Sequence, residues 1–251
     1  MARWLRILPV VTALLVAGPA AHADPLALWH VVHDRCVRHF LASGSPAPCR
    51  RVAMTEPGDR GDAVLKDLRG ATQFLLIPTS RVTGIEDPAV LAPGAPNYFA
   101  DAWKATALVS RRAGVALPRN DLSLAINAPT ARTQDQLHIH VDCVRADVRA
   151  TLRRLAPKVG PAWTALPGRL GGARWRARRI DGAHLVVNPF RLLADGPAAA
   201  EMRRHTLVLV GMIFAGGAPG FILLDARTDP PSGFLGDGEI LQDHGCAVAR
   251  R

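Results

Sequence analysis

The stretch Gln136-Leu-His-Ile-His-Val-Asp-Cys143 alternates strictly between polar and apolar side chains, and it constrains the chain more than any other segment. A β-strand sends successive side chains to opposite faces. Leu137, Ile139, Val141 and Cys143 therefore share one face, suited to a core. Gln136, His138, His140 and Asp142 share the other. Two imidazoles thus stand side by side, flanked by an amide and a carboxylate.

Such a face has three uses. It can be a solvated polar surface with no role. It can be half of a metal site, because His-x-His on a strand supplies two imidazole ligands to zinc. A third ligand would then come from Asp142, His184 or His205, none of which has telling spacing. It can also be catalytic, with one imidazole as nucleophile or acid–base and the other stabilising charge. Spacing alone leaves all three open.

The flanking chain predicts an α+β fold. A helix is expected over residues 24–41, with Leu28, Val31, Val32 and Cys36 on one stripe, followed by a loop rich in Gly and Pro to about Asp62. Two strands, "AVLKDL" and "TQFLLIPT", flank a turn at Gly70. "NYFADAWKATALVSRRAG" has helical spacing, with Gly114 as its C-cap. "DLSLAINA" and "QLHIHVDCV" are the next strands. "ADVRATLRRLA" is a helix ended by Pro157, and "HTLVLVGMIFA" with "GFILLDAR" forms a hairpin around "GGAPG". Short turns between consecutive strands indicate an antiparallel sheet. At 251 residues, 49% of them hydrophobic, the chain can bury a sizeable core and is neither disordered nor fibrous.

The first residues resemble an export signal. Arg3 and Arg6 precede an apolar run from Ile7 to Ala21, and "AHA" ends at Ala23 with small residues where a signal peptidase cuts. The run has 15 residues, fewer than the roughly 20 needed to span a bilayer. Residues 1–23 are expected to be a cleaved signal or a retained N-terminal anchor, placing the protein in the periplasm or at the inner membrane. Four cysteines fit an exported chain with two disulfides. Of the three pairings, Cys36–Cys49 with Cys143–Cys246 is favoured. The first closes a short loop and the second ties the histidine strand to the C-terminal region.

The net charge is +10, and ten basic residues but one acid lie between Arg145 and Arg179. For an exported chain an anionic membrane surface, or a phosphate-bearing substrate, is a better partner than nucleic acid. Other candidates carry less. His30 and His33 are solvated neighbours on a helix. The glycines of "PGRLGGARWRARR" follow no strand and precede no Lys-Ser/Thr, so they form no phosphate loop. Ser123, Asp225 and His244 show no nucleophile elbow.

The order "VLKDLRGATQFLLIPTSRVTGIED … NYFADAWKA … LSLAINAPTARTQDQLHIHVDC" resembles the histidine-triad (HIT) superfamily. More narrowly, "FLLIPT", "LSLAIN", "RTQ" before "HIH", the four cysteines and the terminal "QDHGC" resemble the bacterial CDP-diacylglycerol pyrophosphatases. The resemblance covers most of the chain. It implies a single HIT-like catalytic domain over 24–251, with a core of about 62–150 and an α+β extension over 151–251. It implies hydrolysis of CDP-diacylglycerol to CMP and phosphatidate through a nucleotidyl-histidine, with no metal or other cofactor. His138 falls at the nucleophile and His140 at the last histidine of the triad. Gln136 stands where the first histidine is often found. Asn127 and Thr133 match the Asn ending the third strand and the hydroxyl residue before the triad. Asp67 matches the acidic residue that contacts ribose, and Arg132 adds charge near the phosphate. A hydrolase of soluble nucleotide diphosphates with the same fold, and a non-catalytic lipid- or nucleotide-binding protein, remain as alternatives.

Overall fold

The computed structural model describes residues 24–55 and 60–250, so the expected export segment lies outside the described residues. The fold is α+β, as expected, and built on one antiparallel sheet. Its strands are β1 (Arg51–Thr55), β2 (Arg60–Lys66), β3 (Phe74–Pro78), β4 (Leu122–Ile126), β5 (Ile139–Val144), β6 (Thr164–Ala165), β7 (Arg176–Asp181), β8 (His205–Ile213), β9 (Pro219–Arg227) and β10 (Gln242–Asp243). They lie in the order β1-β2-β3-β5-β4-β8-β9-β7-β6. β10 pairs with the end of β5 that runs past β3.

Strand register carries each face across the sheet. Ile139 and Val141 stand opposite Leu76 and Phe74, Val141 opposite Leu124, Leu124 opposite Leu209, and Leu209 opposite Leu223. This apolar face packs under α3 (Tyr98–Ala113) and α5 (Pro189–Ala194), which contribute Phe99, Val109, Phe190 and Leu193. Burying each such side chain stabilises the fold by about 1.5–3 kcal/mol. Asn97 caps α3, its Oδ1 accepting from the Ala100 N–H at 3.2 Å, and Gly114 ends it in the left-handed conformation, where a side chain would be strained.

The opposite face is apolar at both ends and polar in the middle. At one end Ala63, Leu75 and Ile77 pack against Val32 and Cys36 of a helical stretch formed by α1 (Ala27–His30), a π-helical turn (Val31–Val37) and α2 (Arg38–Ser43). At the other end Val208, Val210, Ile222 and Leu224 pack against Val148, Leu152 and Leu155 of α4 (Ala146–Leu155). Between these two clusters lie His138, His140, Asp142 and Ser123, all buried. The polar face of the histidine strand is therefore not a solvated surface.

Both expected disulfides are formed, Cys36–Cys49 and Cys143–Cys246. Three elements differ from expectation. The loop expected before Asp62 contains β1, whose apolar positions are too few to show a period. β7 lies inside the basic stretch, where Ala177 and Ile180 are buried between arginines. The C-terminal hairpin continues the same sheet, because β8 pairs with β4. No helix among the described residues is long and apolar enough to cross a membrane.

Candidate active site

His138 sits just before β5, buried, with its Nδ1 2.7 Å from the main-chain carbonyl of Gln136. A carbonyl only accepts, so Nδ1 carries the proton and Nε2 keeps its lone pair. Burial is the main cause that lowers the His138 pKa to about 4, and the neighbouring His140 adds to it. The ring is therefore neutral at pH 7, the form a nucleophile requires. The Gln136 side chain is itself fixed. Its amide donates to the Pro78 and Ser80 carbonyls at 3.0 and 2.9 Å and accepts from Arg81 at 3.0 Å.

The His140 ring lies 4.9 Å from that of His138, centroid to centroid. Its Nδ1 is 3.0 Å from Glu239 Oε2 and 3.1 Å from Gln73 Nε2. Two donors cannot bond each other, whereas a carboxylate oxygen needs donors. The proton on Nδ1 therefore goes to Glu239, and the Gln73 amide donates to the same oxygen at 2.9 Å. Asn127 donates to Glu239 Oε1 at 2.7 Å, and its own carbonyl accepts from the Gly238 N–H at 2.8 Å. Burial alone would raise the Glu239 pKa. The bond and charge of His140, with Gln73 and Asn127, outweigh it and hold the carboxyl well below its usual range. The other nitrogen of His140, Nε2, is buried with no partner among the described residues.

Asp142 anchors a third histidine. Its Oδ1 accepts from Thr72 Oγ1 at 2.6 Å and from the Cys143 N–H at 2.9 Å, and its Oδ2 lies 2.8 Å from His244 Nδ1. That bond raises the His244 pKa against the opposing effect of burial. His244 Nε2 reaches to 3.6 Å from Glu239 Oε2. The turn between β2 and β3 closes over this group: the Ala71 N–H donates to the His244 carbonyl at 2.9 Å. A side chain at Gly70 would stand 2.6 Å from the His244 Cβ, and its φ of +66° favours glycine independently. The Cys143–Cys246 bridge and the Gln242 side chain, donating to Ser123 Oγ at 3.1 Å, pin the segment carrying Glu239 and His244 against β5 and β4.

The structure brings His138, His140, Gln136 and Asn127 together. Asp67 lies at the end of β2 beside the turn, its Oδ1 accepting from the Arg69 N–H at 3.0 Å. Arg132 is nearly buried, and its two terminal nitrogens grip Glu86 at 2.8 and 2.6 Å and Asp135 at 3.2 Å. Thr133 is exposed on the linker. Of the residues weighed as metal partners, His184 is exposed in the loop after β7, and His205 bonds Asp225 at 2.8 Å on the far face of the sheet. In the basic stretch Arg145, Arg149, Arg176 and Arg179 are paired with Asp147, Asp121, Asp225 and Asp181.

A family model described as CDP-diacylglycerol pyrophosphatase matches residues 23–250. The chain belongs to the CDP-diacylglycerol pyrophosphatase family. A curated CDP-diacylglycerol pyrophosphatase of Yersinia pestis is 36% identical over 256 residues, covering 98% of this chain and 95% of that protein. Alternation alone makes the paired histidines stand out in the sequence; the residues that hold them carry no such pattern. Glu239, Gln73 and His244 were not singled out as site residues. Glu239 lies between "LGDG" and "ILQD", a segment without helical or strand period. The one signal available was the pairing of Cys143 with Cys246, which places the residues just before Cys246 beside the histidine strand.

Proposed function

We propose that the chain hydrolyses the pyrophosphate bond of CDP-diacylglycerol to give CMP and phosphatidate, with His138 as the nucleophile. Family membership supports the substrate. One observation carries the mechanism: a neutral imidazole with its Nδ1 proton committed to a carbonyl stands beside a second imidazole whose Nε2 is buried without a partner.

His138 Nε2 forms a bond to the phosphorus nearest the nucleoside. The bond from that phosphorus to the bridging oxygen breaks, and phosphatidate leaves with the electron pair. The Gln136 carbonyl faces the Nδ1–H throughout and stabilises the positive charge that develops on the ring. His140, in its doubly protonated form, keeps Nδ1–H on Glu239 and offers Nε2–H to a non-bridging phosphate oxygen. Such a donor is typically worth about two to three decades in rate. Water then attacks the same phosphorus, loses a proton to solvent, and breaks the phosphorus–nitrogen bond, so CMP departs and neutral His138 returns. Asp67, at the rim, is the residue we assign to the ribose hydroxyls. Gln136 and Asn127 act by holding His138 and Glu239. Arg132 is assigned no phosphate contact, because Glu86 fills its fork, and Thr133 none, because it is exposed. The two disulfides support an oxidising compartment, the periplasm or the outer side of the inner membrane.

The test is to mix the protein with CDP-diacylglycerol in the presence of a chelator, quench in alkaline denaturant, which preserves a phosphorus–nitrogen bond, and analyse peptides by mass at alkaline pH. A cytidylyl group on the His138 peptide, and its absence in His138→Ala, is expected. Turnover that stops on chelation, with no adduct, sinks the covalent scheme. Cleavage of a soluble CDP-alcohol but not of the lipid would move the substrate to the soluble class. No cleavage of either would leave a binding protein.

A further inference from the structure

On the face of the sheet away from His138, a cavity of about 310 Å³ is lined by Arg50, Lys66, Arg111, Arg112, Phe74 and Leu108. Four of these residues are cations and none is a carboxylate. Lys66 donates to the carbonyls of Asp67 and Gly70 at 2.7 and 3.0 Å, and Arg112 Nε donates to the Ala71 carbonyl at 3.0 Å. Two of the four cations thus grip the turn between β2 and β3. The side chains of Arg50 and Arg111 have no protein partner among the described residues, in contrast to the carboxylate-paired arginines of the basic stretch. At the tip of the turn Leu68 is fully exposed, followed by the exposed Arg69. The turn then runs directly into the site: Ala71 bonds the His244 carbonyl, Thr72 bonds Asp142, and Gln73 bonds Glu239.

We infer that this turn and its ring of cations form the surface by which the protein seats on an anionic phospholipid bilayer, a lipid phosphate entering the cavity and Leu68 dipping into the interface. The inference deepens the proposed function and rests on a membrane-resident substrate. Cations near an anionic leaflet attract it additively, and an exposed apolar residue beside them adds insertion. The unpaired arginines supply the first effect and Leu68 the second. Arg50 and Arg111 are exposed, so their charge faces solvent and can meet a lipid phosphate without a burial cost.

The experiment compares sedimentation of the full chain with neutral phosphatidylcholine vesicles and with vesicles containing phosphatidylglycerol. The gain with anionic lipid is the quantity read. Arg50→Glu/Arg111→Glu is expected to reduce that gain by about tenfold or more, and Leu68→Ser by a few fold. Arg153→Glu/Arg154→Glu, on α4, should leave it unchanged. All variants should keep wild-type turnover of a water-soluble CDP-alcohol or short-chain CDP-diacylglycerol, which also verifies folding, while the first two lose turnover of substrate embedded in vesicles. A gain unaffected by the first two variants, or reduced equally by the α4 pair, overturns the inference. Cleavage of soluble substrate without any anionic-lipid gain would sink this inference and leave the function standing. Vesicle seating through these residues without cleavage of any CDP compound would do the reverse.

Discussion

Two histidine–carboxylate pairs occupy opposite faces of the same sheet, and they are built for different ends. His205 Nδ1 meets Asp225 at 2.8 Å, and the other Asp225 oxygen takes Arg176 at 2.6 Å. His140 Nδ1 meets Glu239 at 3.0 Å, and the other Glu239 oxygen takes only the amide of Asn127. Arginine neutralises the first carboxylate, so that pair is a strut between strands. Amides hold the second carboxylate and leave its charge to the histidine beside it, whose Nε2 has no partner among the described residues. On the proposed scheme, the choice between an arginine and an amide as the second donor separates a structural pair from a reactive one.

The comparison can be broken by substitution. His138→Ala should lower kcat for CDP-diacylglycerol by about 10⁴-fold or more, since removing a nucleophile leaves only binding and charge stabilisation. CMP release measures it, and retention of even a tenth of wild-type activity would remove His138 from the chemistry. Glu239→Gln should cost about 100-fold in kcat with little change in melting temperature. The reverse pattern is expected across the sheet. Asp225→Ala leaves His205 and Arg176 without their carboxylate and should cost about 3–5 kcal/mol of stability while kcat stays within about threefold. Thermal unfolding and turnover of the two variants should cross over. If both lose activity alike, the distinction between the pairs is wrong.

Cysteine and pH effects sharpen the comparison further. Replacing Cys143 and Cys246 with Ser should cost about 2–5 kcal/mol, because the bridge closes 103 residues. Activity should fall with it, as the bridge holds Glu239 to the site. The acid limb of kcat/KM should lie near pH 4 rather than 6.5, because His138 protonates only there. The same shift has a stability consequence of definite sign. The folded pKa is below the unfolded one, so between pH 6.5 and 4 the unfolded chain binds the proton first. Stability should be full above pH 6.5 and decline through that window.

Much of this was legible in the sequence where a period exists. The alternation over 136–143 fixed both faces of β5, and the helical spacing with Gly114 fixed α3. Asn127 was placed at the end of its strand. Burial of the polar face was not legible, because alternation says which residues share a face and not what covers it. Here the cover comes from the β2–β3 turn and the segment before Cys246, neither of which has a repeating pattern. Arg132 illustrates the same limit. Its position suggested a phosphate contact, and only the fold reveals Glu86 filling its fork.

The bridge between Cys143 and Cys246 also sets a timetable. Domains begin to fold from the N-terminal side as they are made, and the histidine strand precedes its carboxylate by most of the bridge's span. A chain still in synthesis carries His138 without Glu239. On the proposed scheme the enzyme is silent while it is still being delivered, and it begins to cleave only once its last segment has arrived and been oxidised into place.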